Sequence, residues 1–171
     1  MRASRSKLVS RVPDSGPAIV ASQAGFRVRP ANGADAEALL PLIHRHAAYE
    51  QGKASVSAAA LRSAFDRRPP LLTAWVAIRA DELVGYATAT LDFSTWTGRP
   101  FLHLDCLFVQ ENCRGGGVGA FLLAAVRAHA AAQGIPEVQW QTPAWNEDAI
   151  RFYRREGASM LSKARFTLST T

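Results

Sequence analysis

The chain is poor in the residues that build metal centres and covalent frameworks. It has two cysteines and four histidines in 171 residues. Cys106 falls in an apolar run and Cys113 in the loop after it, too close along the chain to suggest a disulfide framework. His44 and His46 would point away from each other on a helix, and neither an HExxH nor a CxxC spacing occurs. No metal is expected. Free thiols suit a reducing compartment, so a cytoplasmic setting is expected. No apolar run reaches the roughly 18 residues that a membrane-spanning helix needs. Aromatic residues do not interleave with the basic ones near the N-terminus, and nucleic acid is not an expected partner.

Acids are scarce as well, 14 against 20 Lys and Arg, for a net charge of +6. The first 24 residues carry +3 of it, from Arg2, Arg5, Lys7 and Arg11 against Asp14. That stretch is rich in Ser, Pro and Gly and has no periodicity, so residues 1–24 read as a basic disordered tail. It has no long apolar core and makes a poor secretory signal. Residues 25–171 have the length of one ordinary domain, and no repeat or linker divides them.

What is present centres on Phe101 to Gln133. Phe101 to Val109 is mostly apolar, as in a strand buried on both faces. Val118, Phe121, Leu122, Ala125, Val126 and His129 lie on one face of a helix. Between them stands Arg114-Gly115-Gly116-Gly117-Val118-Gly119-Ala120. A helix start carries unpaired N–H groups and the positive end of its dipole, and glycines let an anion approach the main chain. The pattern predicts a phosphate or pyrophosphate site.

The spacing narrows the ligand. A P-loop needs Lys-Ser or Lys-Thr after its last glycine, whereas Ala120 and Phe121 follow Gly119. A dinucleotide turn leaves its strand almost directly into glycine and wants an acid after the next strand. Here Gln110 to Arg114 intervene, and Val138 to Thr142 ends without one. A glycine-rich turn without ligand stays open.

Arg114, Gly117 and Gly119 form an Arg-x-x-Gly-x-Gly pattern, with HLDCLFV upstream and PAWNEDAIRFYRREGAS downstream. Together these resemble the signatures of the GNAT superfamily of N-acetyltransferases, and the Trp-Asn-Glu, Phe-Tyr and Gly-Ala order is similar to its diamine acetyltransferase branch. The likeness runs from about Phe26 to Leu168. It implies acetyl-CoA as cosubstrate, a small amine as acceptor, direct attack in a ternary complex, and room for a homodimer.

The order of elements agrees with that fold class, an α/β mixed sheet covered by helices. A strand at Phe26 to Arg29 precedes a helix capped by Asn32 or Asp35 and running to about Glu50, in which Pro41 should kink the helix or delay its start. A second helix spans about Ser57 to Asp66. Leu71 to Ile78 and Leu83 to Leu91 form a hairpin across Arg79 to Glu82. Asp92 to Pro100 is a loop, a last helix runs from Asn146 to Glu156, and a final strand lies within Lys163 to Ser169.

Acetyl transfer needs a neutral amine, so a proton must be taken up, and donors must meet the charge that develops. Asp105 is the only carboxylate of the central strand; a buried carboxylate there calls for a reason. By resemblance it stands where the family carries a glutamate base, and its shorter reach implies an intervening water. A structural ion pair or a backbone bulge would explain it equally. Tyr153 holds the place of the family's general acid, and its alternative is a core tyrosine. Asn146 would cap its helix, bond the pantetheine arm, or both. The backbone of Leu107, Phe108 and Val109 would bind that arm as an added strand. Tyr49 and Glu50 match the family's substrate-contacting pair, and Asp92 and Trp96 could line the same mouth. Cys106 replaces an acid of the family, which puts a full polyamine in question; a small diamine, a polyamine or a thialysine-like amino acid stay open as acceptors. A protein or peptide acetyltransferase and a non-catalytic acyl-CoA binder remain as alternatives.

Overall fold

The computed structural model describes residues 21–23 and 25–170. Most of the segment read as a tail lies outside them, but its end does not: Ala21–Gln23 (β1) pairs antiparallel with Phe26–Pro30 (β2). The sheet continues with Thr73–Arg79 (β3), Glu82–Ser94 (β4), Arg99–Val109 (β5) and Val138–Gln139 (β6), in sequence order. Neighbours are antiparallel except β6, which runs parallel to β5. The helices are Ala36–Tyr49 (α1), Ala58–Asp66 (α2), Val118–Ala132 (α3) and Glu147–Arg155 (α4).

Local chemistry accounts for most boundaries. Ser57 caps α2 by accepting from the N–H of Ala60 at 3.2 Å. Ala80 and Asp81 both have positive φ, +46° and +64°, giving the two-residue turn whose twist matches a tight hairpin. Gly157, at φ +87°, ends α4 as expected. Pro41 does not delay α1, which begins five residues earlier and continues through it; its ring is exposed.

Three expectations are corrected. The segment from 158 to 170 forms no strand, so the last strand expected near residues 163–169 is absent. Its apolar side chains find no sheet edge: Phe166 and Leu168 are 90% and 89% exposed. The expected Val138 to Thr142 strand is only two residues long. The expected loop after Leu91 is instead a continuation of the hairpin, β4 and β5 pairing out to Ser94 and Arg99.

Two apolar clusters cover the two faces of the sheet. On one, α3 buries Leu122, Leu123 and Val126 against Trp75, Ala87, Leu102 and Leu104. On the other, α1 and α2 bury Leu39, Leu42, Leu61 and Phe65 against Val76, Tyr86 and Phe108. Leu104 therefore faces α3, while Cys106 and Phe108 face α1. Strict alternation forbids this, and a bulge explains it. Thr88 pairs with Cys106 and Ala89 with Leu104, so Asp105 is an extra residue opposite no partner. Asp105 is exposed, not buried, which corrects the expectation of a carboxylate hidden in the strand.

The start of α1 is fixed by a buried carboxylate. Asp35 accepts from both Nη atoms of Arg29, at 2.8 and 2.7 Å, and from the Asn32 N–H at 3.0 Å. Burial alone would raise its pKa; the Arg29 guanidinium and the Asn32 N–H reverse this and hold it below the ordinary value. A depressed carboxylate contributes stability above its unfolded pKa and loses it as pH falls through the folded one. Asp35→Ala should cost about 2–4 kcal/mol at pH 7. In urea titrations the gap between variant and parent should shrink below about pH 4; an equal gap at pH 7 and pH 3 would contradict this.

Candidate active site

The site begins where two strands part. β5 and β6 pair only at Leu102–Val138 and His103–Gln139. Beyond them β6 ends, while β5 continues for six residues from Leu104 to Val109. Along residues 104–109 the edge of β5 away from β4 has no strand beside it among the described residues. An extended amide-bearing ligand can add there as a strand.

This edge leads into the glycine turn. Gly115 and Gly117 have φ of +78° and +82°, which L side chains rarely adopt. Gly117 is the N-cap of α3 and no side chain caps that helix, unlike α2 and α4. The first N–H groups of Val118, Gly119 and Ala120 therefore have no intrahelical acceptor. A Cβ on Gly115 would meet nothing within 4 Å, so the turn is open. Gly119 serves packing: a Cβ there would stand 3.4 Å from the Phe152 ring of α4. Gly116 lies beside Phe26, 3.6 Å from where its Cβ would stand. The turn fits a pyrophosphate.

Arg114 is exposed but folds back over the strand edge. Its Nε donates to the Val109 carbonyl at 2.9 Å, and its guanidinium lies 4.8 Å from the Tyr49 ring and 5.6 Å from that of Phe108. Tyr49 reaches across to α4, its hydroxyl donating to Asn146 Oδ1 at 3.3 Å. The same oxygen caps α4 by accepting from the Ala149 N–H at 3.2 Å. The end of α1 is thus tied to the start of α4 over the open strand edge.

Tyr153 projects from α4 between the rings of Trp140 and Phe152, at 5.0 and 5.1 Å. Burial pushes its pKa up to about 12, and the nearby charge of Glu50 adds to this. At neutral pH it is a hydroxyl, a donor and not a base. Cys106 is likewise pushed up to about 12, by burial first and then by Asp105, so it is a neutral thiol. Its Sγ donates to Asp105 Oδ2 at 3.5 Å. Beneath lies His46, with Nδ1 2.9 Å from the Tyr86 hydroxyl and Nε2 3.5 Å from Glu50.

The fold thus brings Tyr49, Glu50, Asp105, Arg114, Asn146 and Tyr153 to one region, with Leu107, Phe108 and Val109 along its floor. It does not bring Asp92 and Trp96 there. Asp92 pairs with Phe101 toward the hairpin tip, and Trp96 is 95% exposed at that tip. The sequence reading missed His46 and Tyr86 as site residues; a histidine on the apolar face of a helix was the available signal. Among the described residues no cluster of His, Cys, Asp or Glu could hold a metal ion, and no helix is long and apolar enough to cross a membrane.

A strand edge opening onto an uncapped helix start, with a hydroxyl and carboxylates near its other end, offers main-chain donors to an extended, anion-bearing ligand. Comparison with known proteins gives the particular class. Residues 40–158 match the model of the Acetyltransferase (GNAT) family. The chain is 29% identical over 118 residues to a thialysine N-epsilon-acetyltransferase of Caenorhabditis elegans, covering 69% of this chain and 73% of that one. It is 28% identical over 151 residues to the enzyme of the same name from Sus scrofa, covering 82% and 88%. An aminoglycoside acetyltransferase from an uncultured soil metagenomic sample shares the fold, with a TM-score of 0.71 at 19% identity over 85% of this chain and 97% of its own. The chain belongs to the GNAT acetyltransferase family and is an N-acetyltransferase.

Proposed function

We propose that the chain moves the acetyl group of acetyl-CoA directly to the terminal amine of a small amino acid or diamine, both substrates being bound together. The observation that carries this reading is the open β5 edge running from the Asp105 bulge to the uncapped start of α3. Main-chain groups of Leu107, Phe108 and Val109 would pair the pantetheine arm, with Asn146 beside it. The N–H groups at Gly115, Gly116, Gly117, Val118, Gly119 and Ala120 would receive the pyrophosphate, and Arg114 would swing out to it. The bound thioester supplies the activated acetyl group. Tyr153 donates a hydrogen bond to the departing sulfur, Glu50 and Tyr49 hold the ammonium, and Asp105 accepts its proton through a water.

An amino-acid amine is favoured over a polyamine on two grounds. Cys106 stands as a neutral thiol beside Asp105, which leaves few negative charges to balance several ammoniums. Both relatives described above carry thialysine in their names. Free CoA release from a panel of thialysine, ornithine, lysine, short diamines, spermidine and a lysine-bearing peptide tests the reading. The amino acids should turn over fastest. Activity confined to the peptide would overturn it.

The proposal includes a cytoplasmic homodimer. Free thiols at Cys106 and Cys113 support the compartment. The apolar segment with Met160, Leu161, Phe166 and Leu168 exposed supports the assembly, since a patch of this kind is commonly an interaction surface. Sedimentation equilibrium should give a dimer that Phe166→Ser with Leu168→Ser converts to monomer. A monomeric parent protein would refute it.

A further inference from the structure

A carboxylate takes a proton quickly but holds it poorly. Carboxylic acids as a class have pKa values near 4 and imidazole near 6.5, so at neutral pH an imidazole retains a proton roughly 100-fold better. An amine that arrives charged therefore benefits from a base of intermediate strength behind the carboxylates that meet it. One imidazole lies there. His46, from α1, is packed under the cleft with its ring stacked on Phe108 at a centroid distance of 5.1 Å. Both ring nitrogens have oxygen partners, Tyr86 from β4 at 2.9 Å and Glu50, one turn further along α1, at 3.5 Å. The Tyr86 hydroxyl also faces the thiol of Cys106, which in turn contacts Asp105. Glu50 thus reaches the imidazole directly, and Asp105 reaches it through Cys106 and Tyr86.

We infer that His46 is the reservoir in which the proton of the acceptor amine rests during acetyl transfer, with Glu50 delivering it and Tyr86 fixing the tautomer. The inference rests on the amine acetyltransferase reading above. The 2.9 Å contact is a hydrogen bond; the 3.5 Å contact is longer than an ordinary N–H···O bond. The inference takes a resting ring that donates its Nδ1–H to the Tyr86 oxygen and leaves the Nε2 lone pair on the Glu50 side, where the contact is too long for a bond. The amine N–H bond breaks and its electron pair stays on nitrogen as the nucleophile. The proton leaves the amine for the water on Asp105, crosses on a Glu50 oxygen and forms the Nε2–H bond. The resulting imidazolium keeps Nδ1–H on Tyr86 and faces the charge of Glu50. As the tetrahedral adduct collapses and the C–S bond breaks, Tyr153 protonates the departing sulfur and is reprotonated by the second N–H proton of the adduct. The stored proton then returns through Glu50, whose side chain is 38% exposed, to solvent. His46 acts through Glu50 and is a positioning residue for the proton.

The groups facing His46 are Glu50 from its own helix, Tyr86 from β4, Asp105 and Phe108 from β5, and Arg114 from the glycine turn. Burial lowers its pKa, Glu50 and Asp105 oppose that, and Arg114 adds to it; the net is below the ordinary imidazole value. The ring is therefore neutral and able to accept at pH 7. When Arg114 leaves for a pyrophosphate, one of the charges opposing protonation goes with it.

His46→Gln keeps a group that can bond Tyr86 but cannot take a proton. With acetyl-CoA and thialysine, kcat at pH 7 should fall about 10- to 100-fold, at the low end of general acid–base effects. KM for the amine should stay within about threefold, and the deficit should close toward pH 10, where the amine arrives neutral. The inflection of the parent below pH 6.5 should vanish. A variant-to-parent ratio constant from pH 6 to pH 10 would overturn the inference. Nitrogen NMR of the parent ring, independent of turnover, should show the Nδ1–H tautomer at pH 7; an Nε2–H or doubly protonated ring would overturn it equally. If His46→Gln does not fold, Tyr86→Phe serves instead: it removes the oxygen that holds Nδ1–H and should convert the ring to the Nε2–H tautomer with the same pH-dependent deficit. If the parent releases no CoA with any amine, the functional reading itself falls and this inference with it. Parent turnover with an unaltered profile in the variants sinks only the reservoir.

Discussion

Tyr153→Phe should lower kcat by about 100- to 10,000-fold, the range typical of a general acid, while CoA affinity stays within about twofold. Only the hydroxyl is lost. The ring is held by Trp140 and Phe152 in the described structure, so packing survives and melting temperature should hardly change. The pH behaviour gives a second check. Burial has pushed the Tyr153 pKa up to about 12, so the hydroxyl keeps its proton throughout the working range. The parent should show no descending limb of kcat below about pH 10, because a raised pKa moves the loss of the donor upward. A fall between pH 8 and pH 9, or a Phe variant within twofold of the parent, would remove Tyr153 from the mechanism.

Gly117→Val should weaken CoA binding by at least about tenfold, equivalent to about 1.4 kcal/mol. Two effects contribute. The residue sits at φ +82°, where a β-branched side chain is strained by about 1–2 kcal/mol, and the new methyl groups stand at the uncapped start of α3. Strain alone is controlled by Gly98→Val in the hairpin turn, a site at φ +64° with nothing within 4 Å of a Cβ. Both variants should lose stability, and only the first should lose affinity by calorimetry. A folded Gly117→Val protein that binds CoA like the parent would refute the pyrophosphate site. Gly119 is the poorer place to test it, because a side chain there meets Phe152 and disturbs α4.

The parts of the fold that depend on local chemistry were legible in the chain. Ser57 and Asn146 cap helices as their side chains allow, Gly157 ends one, and the glycine turn lies between a strand and a helix where the apolar periodicity changes. What escaped depended on partners distant in sequence. Residues 21–23 have no strand pattern of their own and become β1 by pairing with β2. Residues 163–169 do alternate between apolar and polar, yet they join no strand of the described sheet. The extra residue at Asp105 was visible only as a lone carboxylate in an apolar strand, for which a backbone bulge was one of the explanations left open; the register bears that one out. From the sequence His46 is weighed only as a metal ligand; its hydroxyl partner Tyr86 comes from β4, 40 residues away in sequence.

The irregularity at Asp105 can be separated from the fold that contains it. With that residue deleted, Leu102 and Leu104 would still face α3, and Cys106 and Phe108 would still face α1, now in unbroken alternation. No core side chain would change sides. The packing of the sheet has no use for the insertion, and a straightened β5 would regain regular pairing with β4. The shortened chain is thus a candidate for a more robust protein that has lost the carboxylate proposed above as the base. At this one position, selection for durability and selection for turnover would pull the sequence length in opposite directions.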